Sequence, residues 1–314
     1  MHATSDRRLP AAVVSALLAI AIIGYMAGHS RSAAATKEKL LTASIAGLQL
    51  DYPSSWQTAA APPEIPGLSM AHAAVLAPHG DAAQAGLITG QLPAGEPSPL
   101  PAPFVARMQR LPETTVVSLL EVRAYRYAGL SIRGFDRNLT LYAIPNPSGA
   151  DSTALACYAS AALAADMQTC QQIVATLTLV GQSQSYDLTP EPTYARRLSA
   201  SIATLDGQRV ALRREMSARV APPTLQRLAT RLAAAFGAAA TSLAALEPST
   251  ATGPAQIVLS SSILHARDAY SALAAAAGAV SLPGMAAARQ QVYEAETGVD
   301  NGLESFALLG YQET

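Results

Sequence analysis

Charged and aromatic residues are both scarce in this chain. Asp, Glu, Lys and Arg make up 14% of its 314 residues, and aromatic residues only 5%. The 21 basic and 22 acidic side chains nearly cancel, which leaves a formal net charge of −1. A nearly neutral chain has no overall electrostatic field that would attract nucleic acid, and few aromatic rings are available for base stacking. We therefore expect no nucleic-acid partner. The composition is 50% hydrophobic, which permits sizeable folded cores.

Motifs of catalysis and of cofactor binding are also missing. The chain has no G-x-S-x-G, no H-E-x-x-H, no G-x-x-x-x-G-K-[ST], and no G-x-G-x-x-G that opens a helix. Its histidines are His2, His29, His72, His79 and His265. His265 is not preceded by the Glu that a di-iron bundle needs. We predict no catalytic residue, no metal site, no cofactor and no enzymatic activity; a hydrolase with a dispersed site at His72 or His79 is one alternative.

One long uncharged run lies near the N-terminus. Leu9–Gly28 contains twenty residues without a charge, between Arg7–Arg8 and Arg31. As a helix it would span about 30 Å, the thickness of the hydrocarbon core of a bilayer. It exceeds the roughly 7–15 apolar residues of a cleaved signal peptide. We predict a single-pass signal anchor, with residues 1–8 in the cytoplasm and the rest outside; a cleaved segment or a cytoplasmic body are the alternatives.

Residues 29–43 are interpreted as a juxtamembrane spacer, and residues 44–181 as a first folded region rich in strand-like alternation. The predicted strands are 48–52, 69–77, 86–92, 121–127, 138–144 and 153–159. Short turns between them indicate an antiparallel sheet, flanked by helices at Phe104–Leu111 and Ala165–Leu177. The proline-rich stretch Pro93–Pro103 is interpreted as a loop, because the strand pattern resumes after it.

Two cysteines, Cys157 and Cys170, fall on elements that share a core layer. Cys157 lies on the apolar face of a predicted strand, and Cys170 on the apolar stripe of the helix that follows. Outside the cytoplasm such a pair predicts a disulfide, with a loop-entropy stabilisation of about 3 kcal/mol. A metal pair or a redox pair fits poorly, because no histidine accompanies them and the C-x-x-C spacing is absent.

Five segments occur in order between residues 44 and 181: GLQLDYPSSW, AYRY, NLTLY, LACYA and CQQIVATLTL. In this order they resemble the small α+β domains of the PsbP-like superfamily, and more particularly the exported domains of that type in actinobacterial envelope proteins. The resemblance implies an antiparallel sheet flanked by helices and a non-enzymatic binding or accessory role. It implies no catalytic residues. Trp56 matches the aromatic after the proline turn in such domains, as a core anchor or a binding residue.

A polar linker at 182–189 precedes a second region, 190–314, in which helical spacing replaces the strand signal. The predicted helices are Pro190–Val220, Thr224–Leu246, Pro254–Val280 and Met285–Leu309. Short loops between long helices indicate an antiparallel four-helix bundle. The predicted fold class is therefore α+β plus all-α, behind one transmembrane helix.

Arginine is concentrated on the first two helices of this bundle. A candidate patch for an anionic partner comprises Arg209, Arg213, Arg214, Arg227 and Arg231. It would bind an acidic envelope protein, phospholipid headgroups or other envelope anions. The alternative is a solvated face whose arginines pair with carboxylates of a neighbouring helix, and such pairs contribute little each.

These observations lead to one functional hypothesis and a second candidate. The first is a membrane-anchored, extracytoplasmic binding or scaffold protein of the cell envelope, attached to the membrane through one helix and acting on an envelope protein or lipid. The second is a binding protein for lipid or another small envelope ligand, held in a cleft of the α+β domain lined by Phe104–Leu111. Neither hypothesis fixes the oligomeric state.

Overall fold

The computed structural model describes residues 39–45, 47–93, 98–120, 122–146, 152–179, 187–217 and 220–311. The predicted anchor at Leu9–Gly28 and most of the predicted linker at 182–189 lie outside these ranges. Within them, no helix has both the length and the apolar character needed to cross a bilayer.

The first part of the described chain is a strand-rich layer with two helices. In chain order it contains β1 (Leu40–Ile45), β2 (Leu48–Pro53), β3 (Trp56–Ala59), β4 (Ala71–Pro78), β5 (Ala85–Leu92), α1 (Ala102–Val105), β6 (Thr114–Leu119), β7 (Val122–Ile132), β8 (Phe135–Pro145), β9 (Ser152–Ala159), a 3-10 turn (Ala161–Leu163), α2 (Ala164–Ala175) and β10 (Thr178–Leu179). One sheet has the strand order β3-β4-β5-β9-β8-β7-β6 and a smaller one β1-β2-β10. Every pairing between these strands is antiparallel, which confirms the predicted α+β class.

Two local predictions differ from the structure. Leu40 to Ala43, assigned to the spacer at 29–43, belong to β1, which pairs along its whole length with β2. The helix predicted at Phe104–Leu111 ends at Val105, because Met108 instead forms a β-bridge with Ile132. The partner of Met108 lies 24 residues further along the chain, so the local pattern did not reveal it. The partner of β1 is the next strand, β2, in a tight hairpin that was not recognised.

The large sheet separates two hydrophobic clusters, as β9 illustrates. Leu155 and Cys157 point into a cluster covered by α2 and β2, which also holds Trp56 at 2% exposure. Ala156 and Tyr158, on the opposite face, belong to a second cluster that extends into the helical part. The burial of Trp56 favours a core anchor over a binding residue.

The predicted disulfide is present between β9 and α2. Cys157 and Cys170 are bonded, their Cα atoms lie 5.8 Å apart, and both side chains are fully buried. The bond therefore joins the central strand of the sheet to the helix that covers it.

The second part of the described chain is a bundle of four long helices. They are α3 (Pro192–Ser217), α4 (Pro222–Ala244), α5 (Gly253–Gly278) and α6 (Leu282–Leu308). Gly302 of α6 lies beside Leu259 of α5, whereas Gly284 lies beside Ala276, so these two helices are antiparallel. A Cβ at Gly302 would lie 3.1 Å from the Leu259 Cα atom, so glycine allows the close approach.

The bundle contacts the sheet through one of its ends. The Tyr127 hydroxyl of β7 donates a 2.8 Å hydrogen bond to the Leu308 carbonyl of α6. Beside it, the Thr114 hydroxyl of β6 donates to the Ala307 carbonyl at 3.1 Å. The second sheet cluster continues through this junction into the bundle, so the two parts share buried contacts.

We expect Tyr127→Phe to lower the free energy of unfolding by about 1–3 kcal/mol, because it leaves a buried carbonyl without a donor. Burial raises the pKa of Tyr127 well above its ordinary value of 10.0, so the hydroxyl remains a donor at working pH. Urea unfolding of the full chain, followed by circular dichroism, measures the change. Tyr293→Phe, at a side chain 69% exposed on α6, is the control and should change little. Equal stabilities for the two variants would contradict this role of Tyr127.

A strained residue ends α5. Val280 has φ +51° and is 63% exposed, while the Ser281 amide bonds back to the Ala276 carbonyl at 3.0 Å. This is the helix-ending turn in which glycine is preferred at the left-handed position, and a β-branched residue is disfavoured there.

We expect Val280→Gly to raise the free energy of unfolding by about 1 kcal/mol, because relief of strain exceeds the entropy cost of glycine. The same change at Ala279, whose φ is −78°, should destabilise or do nothing. Thermal unfolding of the two variants distinguishes these results, and a loss of stability in Val280→Gly would contradict the strain argument.

Candidate functional site

A buried cluster of charged side chains lies inside the bundle. Arg209 of α3 is only 7% exposed. Its guanidinium donates to Asp206 at 2.8 Å, to Asp300 at 3.1 Å and to Glu296 at 3.4 Å. It also lies over the Phe236 ring, with its carbon 5.9 Å from the ring centre. The cluster therefore ties α3 to both α4 and α6.

Glu296 is the centre of this cluster. Its side chain is 3% exposed and forms ion pairs with Arg209 and with Arg213. The Tyr270 hydroxyl of α5 donates to its other oxygen. Two helices, α3 and α5, thus supply partners to a single buried carboxylate on α6.

Burial and neighbouring charges favour the protonated form of two groups in this cluster. Burial raises the pKa of Tyr270, and the hydrogen bond to Glu296 raises it further. Burial opposes the charged form of Arg209, but hydrogen bonding to Asp206 and the charges of Glu296 and Asp300 raise its pKa overall. The hydroxyl and the guanidinium therefore remain hydrogen-bond donors to the carboxylates, and these bonds hold the helices in register.

A second polar cluster lies at the end of the bundle near the sheet. The Tyr194 hydroxyl donates to the Gln256 side-chain oxygen at 2.7 Å. Gln256 in turn donates to the carbonyls of Leu243 and Leu246, at 3.2 and 3.3 Å. These bonds add a side-chain donor to two carbonyls at the end of α4, which is a structural role.

The five predicted patch arginines do not form one exposed surface, because Arg209 is buried. Arg209 is buried among carboxylates, and Arg213 pairs with Glu296, as in the ion-pair alternative. Arg214 is exposed on α3, whereas Arg227 and Arg231 are exposed on α4 and form no ion pair with a described residue. Only the members on α4 keep free guanidinium groups.

The histidines give no support to a hydrolase. His72 and His79 are both exposed, and neither side chain has a hydrogen-bond partner among the described residues. No cluster of potential metal ligands occurs in the part of the chain that the structure describes. Ser55 lies beside His79, because its carbonyl accepts a hydrogen bond from the His79 amide at 3.1 Å.

Phe104, which was predicted to line a ligand cleft in the α+β part, is fully buried in the core, as is the neighbouring Leu100. Two open grooves lie on the bundle. One, of about 280 Å³, runs between α3 and α4 past Thr204 and Gln208. The other, of about 420 Å³, lies between α5 and α6 beside His265.

One surface was missed by the sequence analysis. The end of the bundle away from the sheet, hereafter the bundle tip, comprises Ala221–Pro223 and Val280–Pro283. Val280 and Leu282 are 63% and 75% exposed there. A signal existed, because residues 269 to 288 carry no charged side chain and form the end of a helical hairpin. That stretch was interpreted only as helix and turn.

Comparison with known proteins gives a distant structural likeness. No family model matches the chain, and no curated protein matches it. One similar structure is the solution structure of cyanobacterial PsbP (CyanoP) from Synechocystis sp. PCC 6803. The alignment covers 46% of this chain and 95% of the CyanoP chain. The identity is 9% and the TM-score 0.31. The PsbP-like resemblance is thus supported only distantly, and this likeness carries no argument about residues or function.

Proposed function

We propose that this protein is a membrane-anchored, extracytoplasmic binding or scaffold protein of the cell envelope, without catalytic activity. Leu9–Gly28 would be its anchor, residues 44–181 a PsbP-like α+β domain and residues 190–314 a helical bundle. Its partners would be an envelope protein or lipid.

The Cys157–Cys170 disulfide is the observation that carries the proposal. Disulfides form and persist in oxidising compartments and are rare in the cytoplasm, where thiols are kept reduced. Both sulfurs are buried in the α2 layer, and the described chain has no free cysteine. A bond in this position is a structural staple and not a redox site open to solvent.

A second observation concerns where the folded part begins. β1 starts at Leu40, and eleven residues separate it from the end of the apolar run at Gly28. A short spacer of this kind would hold the sheet close to a membrane surface. The interval contains the only two lysines of the chain, Lys37 and Lys39, and Arg31, which suits a segment near lipid headgroups.

The test is the state of the two cysteines in growing cells. Because both are buried, thiols must be trapped with acid, and the protein denatured before a bulky maleimide is added. The proposal expects no gel shift without reductant and a shift by two labels after reduction. Extraction of membranes with carbonate should leave the protein in the pellet. Two free thiols in cells would contradict export of the protein. Release of the protein by carbonate would contradict the membrane anchor.

A further inference from the structure

We infer that the bundle tip is a docking surface for an anionic lipid bilayer, with Leu282 and Val280 entering the interface and arginines behind them contacting phosphate groups. The inference goes beyond the proposed anchor and does not require it, since the tip belongs to the folded part of the chain.

The bundle tip exposes apolar side chains to solvent. Leu282 is 75% exposed and Val280 63% exposed. Ala221, Pro223 and Pro283 are exposed beside them. The two connections are neighbours, because Gly278 of α5 lies against the side chain of Gln226 on α4. Together they form one apolar surface at the end of the bundle.

Val280, at the bundle tip, has an unfavourable backbone conformation. A β-branched residue at φ +51° is strained, and glycine would relieve the strain. The fold gains nothing from the exposed isopropyl group. Its presence at the outermost turn is explained if the side chain is used for contact with something outside the chain.

The tip itself carries no charge, whereas arginines lie behind it on α4 and α6. No charged residue occurs between Val220 and Arg227, or between Asp268 and Arg289. Arg227 and Arg289 are exposed, and neither forms an ion pair with a described residue. The third helix that ends here, α3, brings Arg213, Arg214 and Glu215.

The spacing of these groups fits a bilayer interface. Arg227 follows the start of α4 by about 8 Å, and Arg289 follows the start of α6 by about 11 Å. Apolar side chains of interfacial elements enter about 5–10 Å into the headgroup boundary. Long arginine side chains then extend to the phosphate level. An apolar tip with a basic collar is therefore complementary to an anionic bilayer, whereas an acidic protein would leave the apolar residues unmatched.

The experiment uses the full chain in lipid nanodiscs, with Leu282→Cys labelled by an environment-sensitive fluorophore. The native cysteines are bonded and buried, so they do not react. The probe is phosphatidylglycerol at 30 mol% in phosphatidylcholine, and pure phosphatidylcholine is the reference. Two arrangements are compared: the anionic lipid is either in the nanodisc that holds the protein or in vesicles added to it. Tyr293→Cys, also exposed on α6 but about 16 Å further along the helix, is the matched control.

The inference expects the label at 282 to brighten and shift to the blue with anionic lipid, in at least one of the two arrangements, while the label at 293 does not. Arg227→Gln and Arg289→Gln should each raise the lipid concentration for half response about fivefold, from the usual contribution of one basic side chain at an anionic surface.

Three results would overturn it. They are no response at 282 in either arrangement, an equal response to pure phosphatidylcholine, and a response without lipid that grows with protein concentration, which would identify a second copy of the chain as the occupant. None of these results bears on the disulfide or carbonate tests of the proposed function.

Discussion

Glu296→Ala is expected to lower the free energy of unfolding by about 3–5 kcal/mol, because it removes a buried carboxylate that joins α3, α5 and α6 in the bundle core. Arg209 would keep Asp206 and Asp300 as partners, but both are on the more exposed side of the cluster. Tyr270 would retain a buried hydroxyl without an acceptor. Urea unfolding of the full chain, followed by circular dichroism of the helices, measures the loss.

Two further variants separate the buried pair from general effects of mutation on α6. Glu294→Ala removes an exposed carboxylate that only accepts from Gln290, so it should change stability by less than about 0.5 kcal/mol. A triple variant that replaces Arg209, Glu296 and Tyr270 by Met, Leu and Phe removes all the buried polar groups together. It should recover most of the loss, since apolar replacements of a whole buried network are often neutral. A Glu296→Ala variant as stable as Glu294→Ala would contradict the account.

Replacement of both cysteines by alanine is expected to cost about 3 kcal/mol, because the bond closes a short loop between β9 and α2. The two residues are 13 positions apart, and their layer also holds Trp56. Unfolding should therefore move to lower urea when followed by fluorescence of Trp56. The alanine variant should match the wild-type chain that has been reduced after unfolding and refolded with reductant. Unchanged unfolding in the variant would show that the staple contributes nothing.

Much of the fold was predictable because its signals are local. The helices α3 to α6 end within a few residues of their predicted bounds, since prolines and apolar spacing mark them in the sequence. The strands β8 and β9 follow each other closely in the chain, and a short connection of this kind favours the antiparallel pairing that the structure has. The disulfide followed from the faces on which Cys157 and Cys170 fall.

β1 was missed although its partner β2 follows it directly, because its own pattern is brief. The remaining features depend on distant partners. Arg209 was assigned to a surface patch because a single sequence does not tell which helix faces which. Its burial follows from the positions of Glu296 and Asp300 on α6, almost ninety residues later. The contact between Tyr127 and Leu308 could not be inferred for the same reason.

The measurement that tests the central claim most directly is the side of the membrane on which the bundle lies. Tyr293→Cys supplies one exposed thiol, whereas the native pair is bonded and buried. Intact cells that express this variant are treated with a membrane-impermeant maleimide, and a parallel sample is lysed first. The account predicts equal labelling of the variant in intact and lysed cells, and none of the wild type. Labelling only after lysis would place the folded part in the cytoplasm and contradict the account.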